Sequence, residues 1–181
     1  MIAYRQKRRG VWHDVPAADV ASRVAAIRSG QAPADATSRP EQVLVQLATE
    51  AAMPAPGGEE VLSYLPLEHP AEQSLIVHGG HTVHFGDGRQ PLTADLREVQ
   101  PTLFFAPVEV WEQLHHETES RMAGASRIKR LAYARRVLVR RPLRRQLGLA
   151  RMHTALTDGA LADATRSWLS SIGIDVQERP R

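Results

Sequence analysis

From its N-terminus the chain reads first as a short hairpin and then as a helix, within "YRQKRRGVWHDVPAADVASRVAAIRSG", where apolar Val20, Val24 and Ile27 fall at helical spacing. The helix is expected to start near Asp14 or its neighbours and to stop at Gly30. "QAPADATSRPEQ", Gln31 to Gln42, has no apolar period and is rich in Pro, Ala, Asp and Ser, so a linker and a break in organisation are predicted there. "EQVLVQLATEAAM" then reads as a helix, ended by "PAPGG". Beyond it β and α patterns alternate: a buried strand in "VLSYL", a short helix in "HPAEQSLIV", a strand in "HTVHF", a helix in "PLTADLREVQ" and a buried strand in "TLFFAP". Helical spacing returns in "VEVWEQLHHETESRM" and again from about Ser126 to Val139. A strand and turn in "RMHTALTDG", a helix in "ALADATRSWLSSIG" and a strand in "IDVQ" complete the pattern. The alternation predicts an α/β fold, a layered sheet with flanking helices. No internal repeat points to a solenoid.

Composition narrows this picture. At 181 residues one domain is expected. Hydrophobic residues make up 43% and aromatics only 5%, so the core must rest on Val, Leu, Ile and Ala rather than on rings. No cysteine occurs, which removes disulfides, thiolate–zinc sites and thiol nucleophiles. No apolar run approaches the roughly 18 residues of a membrane span. "MIAYRQKRRGVW" has no signal-peptide core behind its charges, and a cytoplasmic location is expected.

The net charge of +3, from 23 basic and 20 acidic residues, conceals an asymmetry: Arg121 to Arg151 holds eleven basic residues and no acidic one. Within it Ile128, Leu131, Ala132 and Leu138 share a helical face, with arginines around the rest. A solvated basic helix is the plain reading. The functional reading is a face for an anionic membrane surface, making the protein peripheral to it, or for nucleic acid. Nucleic acid is the weaker, because Tyr133 is the lone aromatic for base stacking.

Local motifs carry little chemistry by themselves. His78, His81 and His84 form H-x-x-H-x-x-H with His69 upstream, but strand side chains alternate faces and Gly79-Gly80 makes a turn, so they are expected to be polar strand-edge residues rather than metal ligands. No G-x-S-x-G segment presents a serine nucleophile, and Ser63 lies inside an apolar strand. No G-x-x-x-x-G-K-[ST] phosphate cradle occurs; "HGG", "GDG" and "PGG" read as turn glycines.

Longer segments say more. "VLSYLPLEHPAE" sets Tyr64, Leu65, Pro66, Leu67, His69 and Glu72 in the order Y-L-P-L-x-H-x-x-E, followed by "TVHFGDG" and by "TADLREVQPTLFFAPVEVWEQLH" with Thr102, Trp111 and Glu112. "LGLARMHTALTDGALADATRSWLSSIGIDVQE" closes the series, and "GVWHDVPAADVASRVAAI" and "EQVLVQLATEAA" precede it. In this order the segments resemble the long-chain acyl-CoA synthetases, the fatty-acid branch of the AMP-forming, adenylate-forming ligases. The resemblance implies part of the N-terminal α/β domain of such an enzyme, truncated and internally deleted. Residues 1–30 would be a remnant of the opening hairpin and helix, 31–42 a deletion junction, and 43–181 a partial AMP-binding domain.

By the same resemblance the ancestral reaction is ATP-dependent adenylation of a fatty acid followed by thioester formation with CoA, assisted by magnesium. His69 would border the acyl pocket, Trp111 would shape its scaffold, and Gly159 with Ala160 would approach adenine. The departures fall on chemistry. Where the family's Ser/Thr/Gly-rich phosphate loop should precede "EQVLVQ" there is "ADATSRP", and Glu109 stands where the family has the arginine of V-P-R-x-W-E. "TDGALAD" lacks the proline of the family's G-A-A-P-L turn, and the YG-x-TE motif and lysine-bearing C-terminal domain have no counterpart. Neither Lys7 nor Lys129 lies in a matching context. Each missing electrostatic element can cost about a hundredfold in rate, so an inactive chain is expected. The rival expectation is a non-catalytic module that binds an anionic membrane through the arginine-rich helix, or a homologous ligase or its own copy through open sheet edges.

Overall fold

The computed structural model describes residues 2–32, 37–49, 58–76, 80–86, 89–123 and 140–178. The fold is mixed α/β, as the alternating pattern predicts, but the chain divides into two compact units, Met1–Asp95 and Leu96–Arg181, where length had pointed to one domain.

In the first unit β1 (Ile2–Arg8) and β2 (Val11–Pro16) form the expected hairpin. Its two turn residues, Arg9 (φ 52°) and Gly10 (φ 81°), are both left-handed, the backbone pair that matches the twist of a two-residue hairpin. The ladder runs out to Ile2 opposite Pro16, so Asp14 lies in β2, bound by Arg5 at 2.6 Å, instead of starting the helix. Pro16 takes the N-cap position of α1 (Ala17–Arg28), whose end is closed by Gln31 N–H donating to Ala26 O at 3.0 Å.

The next helix, α2 (Arg39–Thr49), begins inside the expected linker, with Pro40 in its first turn where a missing N–H costs nothing. Val20 and Val24 of α1 and Val43, Leu44 and Leu47 of α2 are buried. Arg28 donates to Leu47 O and Ala48 O at 3.0 and 3.1 Å, which satisfies carbonyls at the end of α2, and Arg23 pairs with Glu41.

The rest of this unit is β3 (Glu60–Ser63), α3 (Pro70–Ile76), β4 (Thr82–Phe85) and α4 (Leu92–Val99), the last crossed by the unit boundary. The sheet order is β2-β1-β4-β3, with β1 and β3 both parallel to β4. Register aligns Tyr4, Val83 and Val61, and the Tyr4 ring meets Phe85 edge-on at 5.5 Å. Alternation sends Arg5, Lys7 and His84 to the other face.

That face corrects the expectation for the histidines. β4 is an interior strand, and His84 is 1% exposed, with Nε2 3.2 Å from Glu60 and its ring against Trp12 at 5.6 Å. The sequence could not show this, because the strand covering β4 comes from about eighty residues upstream. His78 lies outside the described residues. Buried Lys7 is held 3.2 Å from Asp95 and 5.5 Å from the Trp12 ring centroid.

The second unit comprises β5 (Leu103–Phe105), α5 (Val108–Ala123), α6 (Arg140–Leu147), β6 (Thr154–Thr157), α7 (Asp163–Ser171) and β7 (Asp175–Glu178). Its three strands are parallel in the order β5-β6-β7. Phe104, Leu156, Leu169 and Ile174 are buried with Trp111, whose ring meets Phe104 edge-on at 5.7 Å. The helix expected over 126–139 lies outside the described residues. After α6, Gly148 has φ +79°, and a Cβ there would overlap the backbone of Leu96 and Arg97, so only glycine fits.

Candidate functional site

Two places in the fold carry the residues singled out from the sequence. The first is the loop from Tyr64 to His69, between β3 and α3. Beneath it Ser63 donates to Glu72 at 2.7 Å, Arg39 Nε reaches Ser63 Oγ at 2.6 Å, and the Arg39 guanidinium also pairs with Glu72 and with Leu65 O. This ties the start of α2, the end of β3 and the first turn of α3 together. Burial pushes the Glu72 carboxyl above its ordinary value of 4.5, opposed by the Ser63 and Arg39 contacts.

His69 sits half-buried at the far end of this loop. Its Nδ1 accepts from Ala71 N–H at 3.2 Å, and its carbonyl accepts from Gln73 N–H at 3.1 Å. Those are the bonds of an N-cap, and Pro70 then fills the first helical position. The acceptor role of Nδ1 puts the proton of the neutral ring on Nε2.

The second place is the turn after β6, beyond the carboxyl ends of β5 and β6. In open α/β sheets ligands bind outside this end of the strands. Asp158 Oδ1 accepts from Val108 N–H at 3.1 Å and caps α5, while Glu112 of α5 accepts from Ala162 N–H at 3.4 Å. The turn is thereby pinned at both ends to one helix. Gly159 is half-buried, and a Cβ there would meet Val108 Cγ2 at contact distance, 3.4 Å. Ala160 is exposed, and Thr157 is fully buried with its Oγ1 lacking a hydrogen-bond partner.

Trp111 is 0% exposed and donates from Nε1 to Leu156 O at 3.1 Å, so it braces β6 from within the core. Trp111, Gly159 and Ala160 thus belong to one end of the second unit. His69 belongs to the first.

Sequence reading missed Arg39, Asp158 and the partnership of Ser63 with Glu72. Arg39 and Glu72 are 33 positions apart, and Asp158 caps a helix 50 residues upstream, so no local pattern links them. The one available signal was "TDG", where an aspartate before glycine marks a turn able to cap.

Among the described residues of the first unit, the charge expected for phosphates is committed elsewhere. The cation at the expected phosphate-loop junction, Arg39, is turned inward onto Ser63, Glu72 and Leu65, and among the described residues no three His, Asp or Glu side chains stand together to hold a metal ion. Also among the described residues, no helix is long and apolar enough to cross a membrane.

No family model matches the chain. Part of its sequence is nevertheless similar to that of adenylate-forming enzymes. The particular relatives are long-chain-fatty-acid–CoA ligases: ACSBG2 of Homo sapiens is 30% identical over 82 residues, 41% of this chain and 12% of that protein. ACSBG2 of Xenopus laevis is 38% identical over 80 residues, 40% of this chain and 11% of that protein. The matched stretch therefore spans about an eighth of these relatives' length or less. Among solved structures, the adenylation domain of a Segniliparus rugosus carboxylic acid reductase, in complex with AMP and a co-purified carboxylic acid, has a TM-score of 0.49 at 18% identity, covering 92% of this chain and 25% of that one. The corresponding domain from Mycobacterium chelonae has a TM-score of 0.48 at 13% identity, covering 66% and 20%.

Proposed function

We propose that this chain is an internally deleted relative of a long-chain fatty-acid–CoA ligase that keeps the acyl-side loop and the adenine-side turn but does not form acyl adenylates by itself. Residues 1–30 correspond to the opening hairpin and helix, 31–42 to the deletion junction and 43–181 to part of the AMP-binding region. His69 borders the acyl side and Gly159 with Ala160 the adenine side, and Trp111 supports the scaffold. Fatty acid, ATP, magnesium and CoA are the reactants of the ancestral chemistry. A cytoplasmic location follows from the same reading, and a homologous ligase or a second copy is its protein partner.

The observation that supports this most is the fate of Arg39. Adenylation needs positive charge and amide donors on the phosphates as a carboxylate oxygen attacks the α-phosphorus. The residues before α2, "ADATS", supply no glycine-rich cradle, and the adjacent arginine is committed to an internal network. What the sheet ends retain is positioning: Asp158 and Glu112 fix the turn, and the Arg39–Glu72–Ser63 network fixes the loop. The test is ATP–pyrophosphate exchange with a long-chain fatty acid on the folded protein. Exchange no greater than in a protein-free control is expected, and fatty-acid-dependent exchange would contradict the reading.

A further inference from the structure

The arginines of α6 differ in what they do. Arg144 is used inside the unit, donating to Leu149 O at 2.9 Å, to Ile172 O at 3.2 Å and to Met152 O. Leu143 and Leu147 are buried. Together they anchor the helix on one side. Arg141 and Arg145 are exposed, and four residues apart they lie on one helical face. With Pro142, Arg144, Gln146 and Ala150 they line an open cleft of about 1040 Å³.

Neither Arg141 nor Arg145 has a carboxylate partner among the described residues, and the sequence from Arg121 to Arg151 contains no acidic residue to provide one nearby. Like charges at this spacing repel. An anion between them removes that repulsion and gains two forked sets of N–H donors. A carboxylate occupies one fork, whereas a phosphate group offers enough oxygens for both. Among the described residues no aromatic side chain lines the cleft, which disfavours stacked bases.

We propose that this cleft is a binding site for a phosphate group, carried by a free phosphate ester or by the headgroup of an anionic lipid. The helix sets the two arginines about one turn apart, and Arg144 ties the end of α6 to the loops after α6 and α7. None of the residues assigned to acyl activation lies on α6, so the site stands or falls independently of that reading.

The full chain is tested in two arms. Thermal unfolding is followed in inorganic phosphate and in chloride at equal ionic strength, and co-sedimentation is measured with phosphatidylcholine vesicles with and without phosphatidic acid. Binding is expected in at least one arm: a response to phosphate identifies the free ester as a source, and a response to vesicles alone identifies the lipid headgroup. The double variant Arg141→Gln, Arg145→Gln should weaken that binding about tenfold or more. Arg8→Gln with Arg9→Gln removes the same charge from exposed positions of the first unit and should leave it unchanged. Arg141→Lys with Arg145→Lys keeps the charge, loses the forks and should fall between. Absence of binding in both arms, equal loss in both glutamine variants, or tighter binding to a single-stranded oligonucleotide than to either probe would overturn the proposal.

Discussion

At position 69 an imidazole takes the part usually played by Ser, Thr, Asp or Asn. Its Nδ1 receives the Ala71 amide and so satisfies one of the donors that a helix start leaves open. The histidine that the family resemblance brings forward therefore has a structural role. His69→Ala should lower stability by about 0.5–1 kcal/mol, the range of a lost cap, as read from the urea midpoint. A change within error would mean that the cap contributes nothing. Glu72, three residues on, gives a pH signature. Its carboxyl titrates above 4.5 in the folded state because burial disfavours the charge, so the folded protein holds the proton more tightly than the unfolded chain does. That contribution is complete below 4.5 and is lost as pH rises through the folded-state value. The stability of the wild type relative to Glu72→Gln should accordingly fall as pH is raised from below 4.5 to neutrality. A difference independent of pH would show that Glu72 keeps its ordinary titration.

Among the elements, those specified by nearby residues were legible in the sequence. The hairpin, α1, β3, α3, β4, α4, β5, α5, β6, α7 and β7 all overlap the stretches whose patterns predict them, within one or two residues at their ends. Features that depend on distant chain were not legible. Nothing near His84 announces that β1 pairs beside it, and nothing near Arg39 announces a partner on α3. The candidate residues show the same division: His69, Gly159 and Ala160 stand out through resemblance to a family's segments, while the groups that hold them in place, such as Asp158 and Glu112, emerge only from geometry. Gly148 is an intermediate case. Its place after an arginine-rich helix marks a stop, but its closeness to the Leu96 backbone is a tertiary fact. Gly148→Ala should cost about 2–3 kcal/mol, from the strained φ and the overlap together, measured as a lowered unfolding midpoint. A loss of only a few tenths would mean that the α4–α6 approach is loose.

At the scale of the molecule, two units each close a small sheet, and each sheet ends in an edge strand on either side among the described residues: β2 and β3 in the first, β5 and β7 in the second. Each also carries one of the places that the ligase resemblance brings forward, the Tyr64–His69 loop in the first and the turn at Gly159 and Ala160 in the second. In the first unit Arg39 is turned onto Glu72, and in the second α6 presents exposed arginines to a cleft. The most direct measurement is ATP–pyrophosphate exchange on the purified chain, verified as folded by circular dichroism, with and without a long-chain fatty acid and with an intact ligase as positive control. Exchange at the protein-free background under both conditions is the expected result, and turnover that depends on the fatty acid would contradict it.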